Sequence, residues 1–150
     1  ADYTVEAWVR PAAGNNALQT LIANSWGWQL YWAGSSVSLY ISQIATGPNY
    51  YGGTPMYSAA GSVPAATWTH IAVVRRGSVL SLYTNGRLAA SIPFTASQVT
   101  PVYPASIGTV YSSNTGTGYY FSGQIDEFRV TKNLARYSAN YTPETQEFSR

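Results

Sequence analysis

Between Phe121 and Thr131 the chain alternates without a break. Phe121, Gly123, Ile125, Glu127, Arg129 and Thr131 fall on one face of an extended segment, and Ser122, Gln124, Asp126, Phe128 and Val130 on the other. A period of two is the signature of a β-strand and is incompatible with a helix of 3.6 residues per turn. Neither face is purely apolar, as suits a strand with a core on one side and an ordered polar surface on the other.

The same period recurs in several further stretches of the chain. Tyr3 to Arg10 alternates and is stopped by Pro11, which has no amide to give a ladder. Leu18–Trp26 and Trp28–Ala33 form a hairpin pair around Gly27, with Trp28, Leu30 and Trp32 on one face, and Val37–Ile44 follows. Thr67–Arg75, Val79–Thr84 and Arg87–Phe94 make a three-strand meander. The Asn85–Gly86 turn within it is the strongest short hairpin signal in the sequence. Ala105–Tyr111 is a further strand, and 112–118 is a Gly/Ser/Thr loop. Residues 45–66 carry no periodicity and read as a long loop, which on a compact domain tends to be functional or disordered. Leu134–Ser138 can make one short helical turn, and 140–148 an extended tail. About ten short strands with almost no helix mean an all-β sandwich. At 150 residues one domain is expected, with about 70% of the unfolded surface buried.

Composition narrows function. Only 9% of residues are charged, against about 25% in an average domain, so the surface is built from small polar residues and thirteen tyrosines. Such a surface suits glycan contact or close subunit packing. The net charge of +2 is scattered rather than clustered, so nucleic acid is not an expected partner. There is no cysteine, which removes disulfides and thiolate metal sites. No apolar run approaches the ~18 residues of a membrane helix. The chain enters a strand directly after Ala1 with no leader pattern, as expected of a processed product or an excised piece.

Three stretches together resemble the laminin-G-like domains of the concanavalin-A-like lectin/glucanase superfamily. They are Asp2–Pro11, Trp68–Arg75 continuing through Leu82–Arg87, and Gly123–Val130. The resemblance implies an antiparallel jelly-roll β-sandwich over residues 1–150. The family has a strand or two before the segment that here begins at Asp2, so one edge of the sandwich is expected to lack its partner. The continuation Thr131–Pro143 is similar to the ending of laminin-G-like modules in bacteriophage virion and bacterial surface proteins. It implies a virion surface or extracellular setting, with glycans or neighbouring subunits as partners and self-association as one route to assembly. The accessory carbohydrate-binding domain of a secreted enzyme, or a bacterial adhesin, is the alternative.

Catalysis is not expected. Glycoside hydrolysis needs two carboxyls about 5–10 Å apart. Asp126 and Glu127 are adjacent and point to opposite faces, and Asp2 and Glu6 share a face but lie ~13 Å apart at ~3.3 Å per residue. The resemblance implies calcium, for which Asp126 is the candidate ligand with Asp2, Asn24 and loop carbonyls completing the shell; the competing role for Asp126 is a hydrogen-bond acceptor within the sandwich. Glu127 is expected to pair with Arg10 or Arg75. His70, Trp8 and Trp68 are expected in or near the core. The candidate ligand-binding residues are loop tyrosines: Tyr50, Tyr51 and Tyr57 on the long loop, and Tyr119 and Tyr120 after the second loop. Each offers a ring face for a pyranose and a hydroxyl for its edge.

Overall fold

Alternation sets most of the strands. The computed structural model describes residues 1–24, 28–41, 56–95, 104–112 and 116–145. Within them are twelve strands: β1 (Tyr3–Pro11), β2 (Gln19–Asn24), β3 (Trp28–Ala33), β4 (Ser36–Ile41), β5 (Met56–Tyr57), β6 (Thr69–Arg76), β7 (Val79–Thr84), β8 (Arg87–Pro93), β9 (Ala105–Ile107), β10 (Val110–Ser112), β11 (Gly116–Gly118) and β12 (Gly123–Lys132). One five-stranded sheet, A, has the order β12-β1-β6-β7-β8. A second, B, has the order β5-β4-β3-β2-β9, and β10 and β11 form a separate hairpin. All pairings are antiparallel, and the architecture is a jelly-roll β-sandwich.

The core is the layer between the sheets. Val5, Ala7 and Val9 of β1, Ile71 and Val73 of β6, and Leu80 and Leu82 of β7 meet Leu21, Ile22, Leu30, Trp32 and Val37 of sheet B. Trp32 is fully buried and donates its indole N–H to Val63 O at 2.9 Å, which satisfies its one polar atom. Leu21 and Ile22 are consecutive yet both enter the core, because the β2–β3 register shifts between Thr20 and Ile22.

Asn85 (φ 47°) and Gly86 (φ 74°) form the two-residue turn between β7 and β8. Both central residues have positive φ, as a hairpin matched to strand twist requires.

Several expectations change. The long final strand does not alternate throughout. Its register against β1 passes from Trp8↔Asp126 to Glu6↔Arg129, and Glu127 takes φ 49° in the resulting bulge. Ile125 and Arg129 therefore lie on opposite faces, and Asp126 shares the outer face with Arg129. The single strand expected over 105–111 is two, broken by Gly108 at φ 74°. No helical turn forms at 134–138. There the backbone is spent on sheet A instead: Thr4 Oγ1 donates to Leu134 O at 3.1 Å and accepts Arg136 N–H at 3.0 Å.

No edge opens beside β1, which lies between β12 and β6. Among the described residues the edges are β12, β8, β5 and β9. Two are only two or three residues long, β8 ends on a proline, and β12 carries the bulge and ends in Lys132, each a device against edge-to-edge pairing. Among the described residues no helix is long and apolar enough to cross a membrane.

Candidate functional site

The outer face of sheet B carries a row of hydroxyl and aromatic side chains. Leu30 and Trp32 point into the core, so Tyr31 between them faces outward, as does its cross-strand partner Thr20, while on β4 position 38 pairs with Tyr31. Met56 pairs with Leu39 and is buried, which turns Tyr57, opposite Ser38, to the outer face. On the other side Thr20 donates its backbone N–H to Tyr119 O at 2.7 Å, so residue 119 extends the row beyond β2. Read across the sheet, the positions are Tyr57, Ser38, Tyr31, Thr20 and Tyr119. Four strand spacings of about 4.8 Å separate the end positions by ~19 Å.

The ends of the row are open and its middle is covered. Tyr57 is 54% and Tyr119 55% exposed, whereas Tyr31 is 5% exposed and Thr20 fully buried. The Tyr119 ring stands edge-on to Tyr31 with centroids 6.2 Å apart, and the Tyr31 hydroxyl donates to Gln29 Oε1. Tyr119 holds φ 51°, a left-handed conformation that a bulky residue adopts only when its surroundings enforce it. Tyr120 is 63% exposed. Thus Tyr57 and Tyr119, from the two separate groups of candidate tyrosines, are brought to one face. Tyr50 and Tyr51 lie outside the described residues.

Asp126 is placed elsewhere, on the exposed edge of sheet A, where its Oδ1 accepts the Glu127 N–H at 2.9 Å. Asp2 sits at the far end of β1, next to Tyr3↔Lys132, and its Oδ1 accepts Gly77 N–H at 2.8 Å. Asn24 belongs to sheet B. Asp126, Asp2 and Asn24 are thus placed apart, and no group of three or more His, Cys, Asp or Glu among the described residues could hold a metal ion. Arg10, one expected partner of Glu127, instead donates to Ala66 O and Gln124 Oε1, both at 3.1 Å.

The main polar cluster was missed by sequence reasoning. On the outer face of sheet A, Glu6 is fully buried beneath the C-terminal tail, 133–145. Arg129 Nε donates to Glu6 Oε1 at 2.9 Å and the Tyr137 hydroxyl to Oε2 at 2.7 Å; Arg136 Nε lies 3.7 Å from Oε1. His70 Nε2 stands 3.4 Å from Oε2, and the Tyr141 hydroxyl 3.1 Å from His70 Nδ1.

Burial alone would push the Glu6 carboxyl up, but the hydrogen bonds from His70, Tyr137 and Arg129 and the Arg129 charge outweigh it and hold it below its ordinary value. Desolvation and the neighbouring carboxylate push the Tyr137 hydroxyl up.

Around this cluster the tail packs as an aromatic layer. Tyr137 and Tyr141 stack with centroids 3.5 Å apart, over Ala72, Val74 and Tyr83. Ala72 lies between Glu6 and Tyr83 in register, and its small side chain leaves the depression the stack occupies. Trp8 is half-buried here, edge-on to His70, with its indole N–H on Glu144 O. Trp68 is not in the core but 39% exposed. The signal for the cluster was thin: a glutamate inside an apolar strand, with its arginine and tyrosine partners more than a hundred residues away.

With this geometry in hand, comparisons with known proteins place the chain. Residues 1–135 match the Laminin_G_3 family, described as the concanavalin A-like lectin/glucanases superfamily. Comparison with curated proteins found no match. Among solved structures, a protein from Bacteroides ovatus ATCC 8483 whose proposed role is carbohydrate binding superposes with a TM-score of 0.71 at 18% identity, over 91% of this chain and 38% of that one. The CBM40 of Ruminococcus gnavus IT-sialidase bound to α2,3 sialyllactose gives 0.70 at 16% identity, over 89% and 77%. The botulinum neurotoxin serotype D binding domain gives 0.61 at 14%, over 93% and 34%. At these identities the likeness is one of fold. The match over 135 of 150 residues shows the family: this chain belongs to the concanavalin A-like lectin/glucanases superfamily.

Proposed function

We propose that the domain is a non-catalytic recognition module that binds glycans on the outer face of sheet B. The observation that carries this reading is the cross-sheet row in which Tyr57 and Tyr119 stay exposed at either end of Ser38, Tyr31 and Thr20. Exposed tyrosine rings stack on the apolar faces of pyranoses, and their hydroxyls bond the ring substituents. Tyrosines at positions ~19 Å apart call for an oligosaccharide rather than a single sugar. The carbohydrate-binding neighbours of the same fold support the ligand class.

The distribution of acids supports a module without chemistry of its own. The described carboxylates are Asp2, just before β1, Glu6 on β1, Asp126 and Glu127 on β12, and Glu144 on the tail. None lies on the outer face of sheet B, where a hydrolase acting on a bound glycan would need two. For its setting we infer an extracellular or virion surface: a tail, fibre or capsid component on the resemblance of Thr131–Pro143. An accessory domain of a secreted enzyme or adhesin would use the same face.

The test is binding to a glycan array, followed by titration of the strongest ligand against Tyr57→Ala and Tyr119→Ala. Each variant is expected to bind about tenfold more weakly, as loss of one stacked ring implies. A blank array, or unchanged affinity in both variants, would overturn the reading.

A further inference from the structure

A second cleft opens where the tail docks on the β7–β8 hairpin. It has a volume of about 400 Å³ and is lined by Asn85, Arg87, Asn140, Tyr141, Thr142 and Pro143. It exists only because the tail is held there. Tyr141 N–H donates to Gly86 O at 2.8 Å, and a Cβ on Gly86 would come within 1.8 Å of Tyr141 O.

The hydrogen bonds that build the cleft also decide which polar groups it presents. Asn85 Oδ1 accepts the backbone N–H of His70, and Asn140 Oδ1 accepts that of Leu88, both at 2.9 Å. These bonds occupy the amide oxygens of both asparagines and set their flip, so the two NH₂ groups are the ends left to a ligand. Arg87 is exposed, and its guanidinium makes no hydrogen bond or ion pair among the described residues. Thr142 adds a hydroxyl. No carboxylate lines the cleft, and the nearby Glu144 directs Oε2 toward Arg129 Nη1 at 3.9 Å. The site thus offers amide donors, a planar guanidinium and one hydroxyl. Guanidinium with flanking N–H donors matches a carboxylate or sulfate better than a neutral hydroxyl.

We propose that this cleft is a second saccharide subsite, selective for sugars bearing a carboxylate. It rests on the reading of the domain as glycan-binding but not on the tyrosine row, which lies on the other sheet.

Backbone amide NMR tests it, with methyl glucuronide and methyl glucoside as a pair that differ only at C6, and sodium sulfate as the bare anion. The glucuronide is expected to shift the amides of Arg87, Leu88 and Asn140 saturably and to bind about tenfold or more tightly than the glucoside, since hydrogen bonds to a charged group are the stronger ones. Arg87→Gln removes the charge. Asn140→Asp keeps the acceptor for Leu88 N–H, and so the docked tail, while replacing the donor with a negative oxygen. Both should abolish the effect, and Tyr119→Ala should not.

Equal response to the two glycosides, or persistence in both variants, would overturn the proposal. So would sulfate acting as strongly as the glucuronide, which would mark a simple anion patch. Shifts confined to Tyr57 and Tyr119 would overturn the cleft and leave the tyrosine row standing. Shifts at the cleft, with glycan binding indifferent to Tyr57→Ala and Tyr119→Ala, would support the cleft and remove the row.

Discussion

Replacing Glu6 by alanine should detach the C-terminal tail and cost a large part of the domain's stability. The Glu6 carboxylate is fully buried and receives Arg129 Nε at 2.9 Å and the Tyr137 hydroxyl at 2.7 Å, with the Arg129 side chain only 12% exposed. Removing it leaves a guanidinium and a phenol in a desolvated site without their acceptor. Breaking a buried pair in this way costs about 3–5 kcal/mol, against a total of about 5–15 kcal/mol for a domain. With a urea dependence of about 2 kcal/mol/M, a loss of 4 kcal/mol lowers the unfolding midpoint by about 2 M.

Glu6→Gln is the sharper variant, because it keeps the shape and removes the charge. The pH dependence follows from the sign of the shift. The folded-state pKa lies below the ordinary 4.5, so the stabilisation from this carboxylate is full above pH 4.5 and is lost as pH falls through the folded value. The wild-type urea midpoint should therefore drop on acidification below pH 4.5, more steeply than that of Glu6→Gln. Tryptophan fluorescence reports the tail directly, since Trp8 lies under Glu144. A midpoint shift below about 0.5 M for Glu6→Ala, about 1 kcal/mol on the same slope, would refute the view that this network holds the tail.

Three further outcomes follow from the same geometry. Gly86→Ala should cost more than the ~1 kcal/mol of a positive-φ alanine alone, because the new Cβ meets Tyr141 O at 1.8 Å. Gly61→Ala, at φ 81° with open space around it, is the control, and equal melting temperatures for the two would contradict the close approach. Ala72→Leu fills the depression under the Tyr137–Tyr141 stack and should destabilise by about 1–3 kcal/mol in urea unfolding, with loss of the Tyr83 ring contacts in near-UV dichroism. Trp32→Phe removes both core volume and the bond to Val63 O, and should cost about 2–4 kcal/mol by the same measurement; a loss under 1 kcal/mol would mean that the centre of the core lies elsewhere.

Strands and turns were legible because their causes are local. The Val79–Thr84 strand and the Asn85–Gly86 turn appear where the alternation and the φ > 0 residues put them. The bulge at Glu127 was not legible, since nothing in the order Asp-Glu-Phe announces that its partner strand runs one residue short there. That slip moves Arg129 to the outer face, opposite Glu6, and so decides which cation meets the buried Glu6 carboxylate. The helical turn expected at 134–138 failed for a related reason: Thr4, far away in sequence, supplies partners to that backbone that a helix would otherwise have supplied itself. For the candidate site, Tyr57 and Tyr119 were visible as aromatic residues outside the main strands, but not as ends of one row, because Tyr119 reaches it through a backbone bond to Thr20.

The amino-acid order by itself determined the element type, the fold class and the kind of surface. Periodicity, turn residues and composition act over a few neighbours, and they are the same in any tertiary context. The tertiary structure alone decided which polar groups meet. Glu6, His70, Arg129, Tyr137 and Tyr141 are brought together by strand order and by a one-residue slip in register, and their partners lie as far as 131 positions apart. Local chemistry has no reach over that distance. Only the packing of β12 and the tail against β1 supplies it.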